Sequence, residues 1–350
     1  MAYTTIDDPS AYFQTTLYTG NASSRSITNG GNSDLQPDLV WTKKRNEAQN
    51  HCVFDSSRGV GKILFPDGTD TEASSPSVVT AFDSDGFSLT ADALGNDNSD
   101  SYVSFQWKAN GGTTSSLSGG DIGITTTSQA NTTALFSINT YTGTGSQSAI
   151  GHGLGVAPDF IMIKNRDQND SWFVWHHNLN NNQGLELDTD VAVVTNNGFM
   201  GNEAPTSTTI GLGTGSDTNA SSEKYVAYAF SEVQGYSKFG KYTGNGNANG
   251  PFAYLGFKPA WLMIKPSTAQ SSWFMLDNKR DPYNTKNIYL QANSNAVEST
   301  SGDKDIDFCA NGFKCREATG WFNDDGETYL YAAFAEEPFV GSDGTPTTAD

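Results

Sequence analysis

At 350 residues the chain is long enough for two or three domains of ordinary size. It carries 36 glycines, 12% aromatic and only 17% charged residues, a mix that suits short strands joined by turns and excludes a chain of long helices. A formal net charge of −19 excludes duplex nucleic acid, which demands a basic footprint, and opposes binding to an anionic membrane surface.

The first residues, Met1 to Pro9, have neither a basic region nor an apolar core, so no signal peptide is expected and assembly in a cytoplasm follows. No apolar run approaches the roughly 18 residues of a spanning helix. Residues 1–12 read as an N-terminal arm, broken at Asp7-Asp-Pro9. The arm is expected on the first domain, with a neighbouring subunit as the alternative.

One unit is then written three times. It opens with Tyr18-Thr-Gly20, Tyr141-Thr-Gly143 and Tyr242-Thr-Gly244. An apolar run from proline to lysine follows: Pro37 to Lys43, Pro158 to Lys164 and Pro259 to Lys265. Such runs predict strands buried on both faces or crowded by a neighbouring sheet. Eight residues beyond each lysine comes another apolar strand, beginning at His51, Trp172 and Trp273. It exits through Asp55-Ser-Ser-Arg58, His176-His-Asn-Leu179 and Asp277-Asn-Lys-Arg280.

Short strands at Ile63-Leu-Phe65, Leu185-Glu-Leu187 and Ile288-Tyr-Leu290 lead to Asp85-Gly-Phe87, Asn197-Gly-Phe199 and Asn311-Gly-Phe313. The dipeptides predict tight turns, because these residues accept positive φ. Tyr102 to Trp107, Tyr225 to Phe230 and Tyr329 to Phe334 close the units, with an aromatic residue five positions after each tyrosine. From lysine to turn glycine the three units span 43, 34 and 47 residues (Lys43 to Gly86, Lys164 to Gly198, Lys265 to Gly312), as rigid strands with adjustable loops would.

The fold class is therefore all-β: three tandem β-sandwich repeats of jelly-roll or lectin-like type, at residues 13–108, 134–231 and 235–340. Residues 109–133 read as a Gly/Ser/Thr linker that lets the first repeat sit apart, and 341–350 as a polar tail. A single closed threefold β assembly is the alternative.

Candidates for chemistry are few. His176 and His177, adjacent on a strand, are expected on opposite faces and so unable to share a metal. The Asp-x-x-Arg station recurs and reads as a turn or ion pair serving the fold. No Gly-x-Ser-x-Gly, His-Glu-x-x-His or phosphate-cradling loop is present, and no carboxylate pair stands out. Asp97, Asp100, Asp324 and Asp325, in acidic loops before the closing strands, are candidate Ca²⁺ ligands, the sole cofactor considered. Asn96 and Asn323 lie in the same loops. Trp321 and Phe322 are the candidate exposed aromatic contact for a ligand. Of the three cysteines, Cys52 reads as an apolar filler; Cys309 and Cys315 flank a turn but are read as free thiols.

The opening Met1 to Phe13, with Tyr-Thr-Gly, Pro-Asp-Leu-Val-Trp-x-Lys, Phe-Asp-Ser-x-Arg-Gly, Phe-Asp-Ser-Asp-Gly-Phe and Tyr-Val-x-Phe-x-Trp after it, resembles a repeat family of marine bacteriophage virion proteins. The likeness covers residues 1–108 closely and 134–337 through degenerate copies that depart at His176-His177, Ala260 and Pro266. It implies a structural or tail-fibre-like protein built on a lectin-like domain of unknown function, with no catalytic residues to carry over. The expectation is thus a non-enzymatic virion protein, a capsid decoration or tail appendage. Its partners would be other phage structural proteins, further copies of itself and a host surface glycan. The alternatives are a carbohydrate-binding adhesin and a glycan-degrading enzyme.

Overall fold

Three main sheets carry the molecule in a computed structural model of the chain. It describes residues 2–75, 77–120, 123–300, 302, 304–318 and 321–347. The first sheet uses β1 (Phe13–Thr19), β2 (Leu39–Lys44), β3 (Cys52–Asp55) and β4 (Ser101–Trp107), in the order β1-β4-β2-β3. The second uses β5 (Gly123–Asn131), β6 (Phe136–Thr142), β7 (Phe160–Asn165), β8 (Phe173–His176) and β9 (Lys224–Phe230), in the order β5-β6-β9-β7-β8. The third uses β10 (Ser237–Thr243), β11 (Phe257–Pro266), β12 (Phe274–Asp277) and β13 (Thr328–Pro338), in the order β10-β13-β11-β12. In each sheet the closing strand lies antiparallel between the opening strand and the proline-to-lysine strand.

Strand side chains alternate between faces, and here both faces are buried. Leu39 and Trp41, Phe160 and Met162, and Trp261 and Met263 all enter one central core common to the three sheets. The intervening Val40, Ile161 and Ile163, and Leu262 and Ile264, enter three separate outer cores. Small sheets help to cover these outer cores, among them one of Arg25–Ile27, Ala81–Asp83 and Gly86–Leu89 and one of Phe252–Tyr254, Ile306–Cys309 and Gly312–Cys315. This double burial is why the proline-to-lysine runs show no polar alternation.

The shared centre corrects the expectation that the first repeat sits apart. Trp107, Phe230 and Phe334, the aromatic residues that end the three closing motifs, meet one another there. Their ring centroids lie 6.3, 5.6 and 5.8 Å apart. Such contacts add about 0.5–1.5 kcal/mol each beyond the area they bury.

The other end of each closing motif is fixed by a repeated lock. Tyr18 stacks on Tyr102, Tyr141 on Tyr225 and Tyr242 on Tyr329, with centroids 5.1, 5.1 and 5.0 Å apart. The opening tyrosines donate to the carbonyls of Gly95, Thr218 and Phe322. The hydroxyls of the closing tyrosines accept from the N–H groups of Asp97, Ala220 and Asp324. The glycines of Tyr-Thr-Gly are required because a Cβ at Gly20, Gly143 or Gly244 would collide with the carbonyl oxygen of Asp97, Ala220 or Asp324. Beside each lock a fully buried asparagine accepts from the chain: Asn96 from Asn21 N–H, Asn219 from Thr144 N–H and Asn323 from Asn245 N–H.

Several local expectations change. The expected linker carries Ser115–Ser118 and β5, and β5 pairs with the outer edge of β6. Its Gly/Ser/Thr composition reads as flexible, but the segment is anchored where Asp38 accepts from the N–H groups of Ala109, Gly111 and Gly112. The arm reaches two units: Asp8 accepts from Ser33 Oγ and Ser10 Oγ from Ser33 N–H in the first unit, while residues 3–7 bond the third unit and its flanks. Tyr3 donates to Gly256 O, Thr4 to Gln234 O, and Asp7 accepts from Ser342. Asp85-Gly86 and Asn311-Gly312 turn true hairpins, whereas Asn197-Gly198 turns without flanking strands. Residues 348–350 of the expected tail lie outside the described residues.

The lock yields a direct test. Asn219 Nδ2, on a fully buried side chain, donates to Ser148 Oγ and Gly213 O in the interior and to Ser146 O at its edge. Asn219→Ala is expected to cost on the order of 3 kcal/mol, read as a lowered denaturant midpoint with an unchanged m-value, because unsatisfied buried groups cost about 1–3 kcal/mol each. A loss below about 0.5 kcal/mol would refute the lock.

Candidate functional site

Each unit hooks the next around a closed ring. Lys43, Lys164 and Lys265 project from the central face of β2, β7 and β11, and all three are fully buried. Lys164 Nζ donates to Thr69 O of the first unit, Lys265 Nζ to Asp190 O of the second, and Lys43 Nζ to Asn295 O of the third. Carbonyls of each lysine's own strand end or following loop complete the shell, including Lys44 O, Asp170 O and Ser271 O. Burial without a directly bonded carboxylate pushes each amine down to about 8. Trp172 and Trp273 repeat the hook, donating from Nε1 to Phe65 O and Glu186 O. One backbone bond also recurs at every joint: Glu72 N–H to Arg166 O, Val193 N–H to Ser267 O, and Glu298 N–H to Arg45 O.

The Asp-x-x-Arg stations belong to these joints. Asp55 and Arg58 pair out of contact with solvent, and Glu72 links Arg58 to Arg166 of the second unit. Asp277 and Arg280 do the same, with Glu298 reaching Arg45 of the first unit. Tyr228 of the second unit donates to Asp55. At the remaining joint the equivalents are His176, Leu179, Val193 and Ser267, so the whole charged network is replaced together.

His176 and His177 do not face opposite ways as the strand period suggested. The strand ends at His176, and their rings lie 5.0 Å apart. Both turn to the third unit, at Tyr331 O and Phe239 O respectively. Burial holds His176 down to about 3, while the hydrogen bond to Asp159 raises His177.

The acidic loops hold the locks already described. Asp100 pairs with Lys44 at 2.6 Å, and Asp97 lies 3.5 Å from the same ammonium. Asp324 and Asp325 occupy the corresponding loop of the third unit, a different place in the molecule. Among the described residues no three His, Cys, Asp or Glu side chains converge as a metal-holding group. Phe322 is not exposed: it is packed in the third outer core. Trp321 is 38% exposed, with Lys304 Nζ 4.5 Å from its ring. Cys52, Cys309 and Cys315 are all free, and the register pairs Cys309 with Gly312 and Cys315 with Ile306.

The joint between the third and first units is the open one. A groove of about 540 Å³ runs between Phe13, Thr15 and Leu17 of β1 and Asn278, Lys279 and Glu336 of the third unit. It continues into a cavity of about 730 Å³ that shares those last three residues and adds Lys258, Lys286 and Tyr283. Tyr283 is 80% exposed, and Glu336 lies 3.2 Å from Lys258. On a chain of net charge −19 this convergence of lysines is a local exception. The sequence hid it because Lys258, Lys279 and Lys286 are scattered along loops and strand ends with no motif.

The hooks carry a pH signature. Lys164→Met is expected to destabilise by about 2 kcal/mol at neutral pH, because it removes the one donor shared by Thr69 O, Asn165 O, Gln168 O and Asp170 O at a joint where the side chain itself is fully buried. Below about pH 8 the amine is protonated in folded and unfolded wild type alike. From there to its ordinary value of 10.5 only the unfolded chain binds the proton, so the wild type gains stability relative to the variant as pH rises. Paired urea melts at pH 7 and 9.5 measure this; a gap that narrows would contradict it.

No curated protein matches the chain. A family described as a domain of unknown function, DUF7483, matches residues 8–338 in one span that takes in all three main sheets. With nearly its whole length inside that match, the chain belongs to the DUF7483 family.

Proposed function

We propose that this protein is a non-enzymatic structural component of a bacteriophage particle, a capsid decoration or tail appendage assembled in the host cytoplasm. The observation that carries this reading is what the recurring polar residues do. Lysines, Asp-x-x-Arg stations and locking asparagines stand at corresponding places in the sheets, and they act on the chain itself rather than on a shared cleft. The likeness of residues 1–108 to phage virion repeats supports the setting. Acidity supports solubility during crowded assembly. Mass spectrometry and immunogold labelling of purified particles test it. The protein is expected at a fixed stoichiometric copy number, and its absence from washed particles would overturn the reading.

A second reading, a carbohydrate-binding adhesin, is favoured by one place. Tyr283 stands exposed at the mouth of the lysine-lined cavity, the arrangement that stacks on a sugar face while ammonium groups meet acidic substituents. It is compatible with the first. Tyr283→Ala is expected to abolish retention of acidic host polysaccharide without moving the melting temperature; no retention by wild type would dismiss it.

A further inference from the structure

The three opening strands pose the same problem, and the molecule solves it at two of three joints. The outward backbone groups of β6 are those of Phe136, Ile138 and Thr140, which pair with Asn131, Gln129 and Thr127 of β5. In β10 the position that matches Ile138 is Phe239. There the Glu232 carboxylate accepts from the N–H and His177 faces the carbonyl. In β1 the matching residue is Thr15. Even-numbered residues of β1 bond to β4, as Tyr12 O and Gly20 N–H show at its ends. The N–H and C=O of Thr15 therefore point into the groove, and among the described residues neither meets a partner.

Side chains at this joint are left open in the same way. Thr15 Oγ1 and Asn278 Oδ1 are buried without a hydrogen-bond partner. At the first-to-second joint the corresponding places are served by Gln129. Its Nε2 donates to Ser56 Oγ and Ser57 Oγ, while its Oε1 accepts from Asn110 and Gly112 N–H. Ser56 and Ser57 correspond to Asn278 and Lys279, which line the groove. Buried polar groups are ordinarily satisfied, and an unpaired sheet edge is a template for a further strand.

We infer that the groove between the first and third units takes up an extended, polar polypeptide segment from another chain as an added strand antiparallel to β1, with an amide side chain at the place where Gln129 stands beside β6. The template for the occupant is in the chain itself: Thr127-Ser-Gln-Ala-Asn131. Main-chain pairing supplies affinity, and the amide meeting Asn278 Oδ1 supplies register. The inference stands whether or not the assembly is a virus particle.

The test uses the full chain and a capped synthetic peptide of residues 124–133. Fluorescence anisotropy is expected to show saturable binding, weakened at least tenfold by N-methylation of the peptide's glutamine or by its replacement with leucine. Thr15→Pro removes an outward N–H that β4 does not use, so it is expected to abolish binding with little change in melting temperature. Should that variant fail to fold, the N-methylated peptide still decides. Binding no tighter than a scrambled peptide would overturn the inference. So would equal binding of the methylated peptide, or uptake of polysaccharide by the groove with no uptake of peptide.

Discussion

A buried ammonium is tolerated only where oxygen surrounds it, and this molecule builds three such places between neighbours. Lys43, Lys164 and Lys265 each leave their own sheet toward carbonyls that the preceding unit in the ring supplies. The arrangement is directional: each unit gives a lysine to one neighbour and receives one from the other. An open chain of sandwiches would leave one lysine without its foreign carbonyl. Closing the ring supplies all three, and the aromatic centre at Trp107, Phe230 and Phe334 fills behind them. The docking of the arm on the third unit brings residues 3–7 beside the closing end of the ring.

The three joints are alike in backbone and unlike in charge. Two hold a buried Asp-Arg pair extended by a glutamate to an arginine on the neighbour. The third has histidine, leucine, valine and serine at those places. Removing one member of a buried pair is costly because it strands the other, while replacing the whole set by apolar and neutral groups is often close to neutral. The simultaneous loss of all four charges at one joint fits that rule. That joint seals its outer strand through His177 and Glu232, the first-to-second joint seals through β5, and the third-to-first joint stays open as a groove.

Much of the scaffold could be read along the chain. The fixed intervals picked out the tyrosines and the aromatic residues that end the closing strands, and those residues are the two fixed ends of each such strand. The unbroken apolar runs marked strands covered on both sides. Legibility failed where a composition signal competed with an edge. Residues 123–131 look like a flexible linker because Ser, Thr and Gly dominate, yet the unpaired side of β6 gave them hydrogen bonds that composition does not encode. Phe322 looked exposed beside an acidic loop, but its carbonyl is the acceptor for Tyr242 and its ring fills the third outer core. Asn219 was passed over because a lone asparagine in a Gly/Ser/Thr region carries no periodic signal.

By itself the sequence determined an all-β chain, the strands of the three recurring motifs and the three-fold recurrence of their stations, because side-chain alternation and turn chemistry are local. Only the tertiary structure decided that the three sheets share one centre, that the lysines reach across to a neighbour's carbonyls, and that one joint of three remains open. Those outcomes depend on which unpaired donors and acceptors face each other across hundreds of residues, and spacing along the chain does not record that.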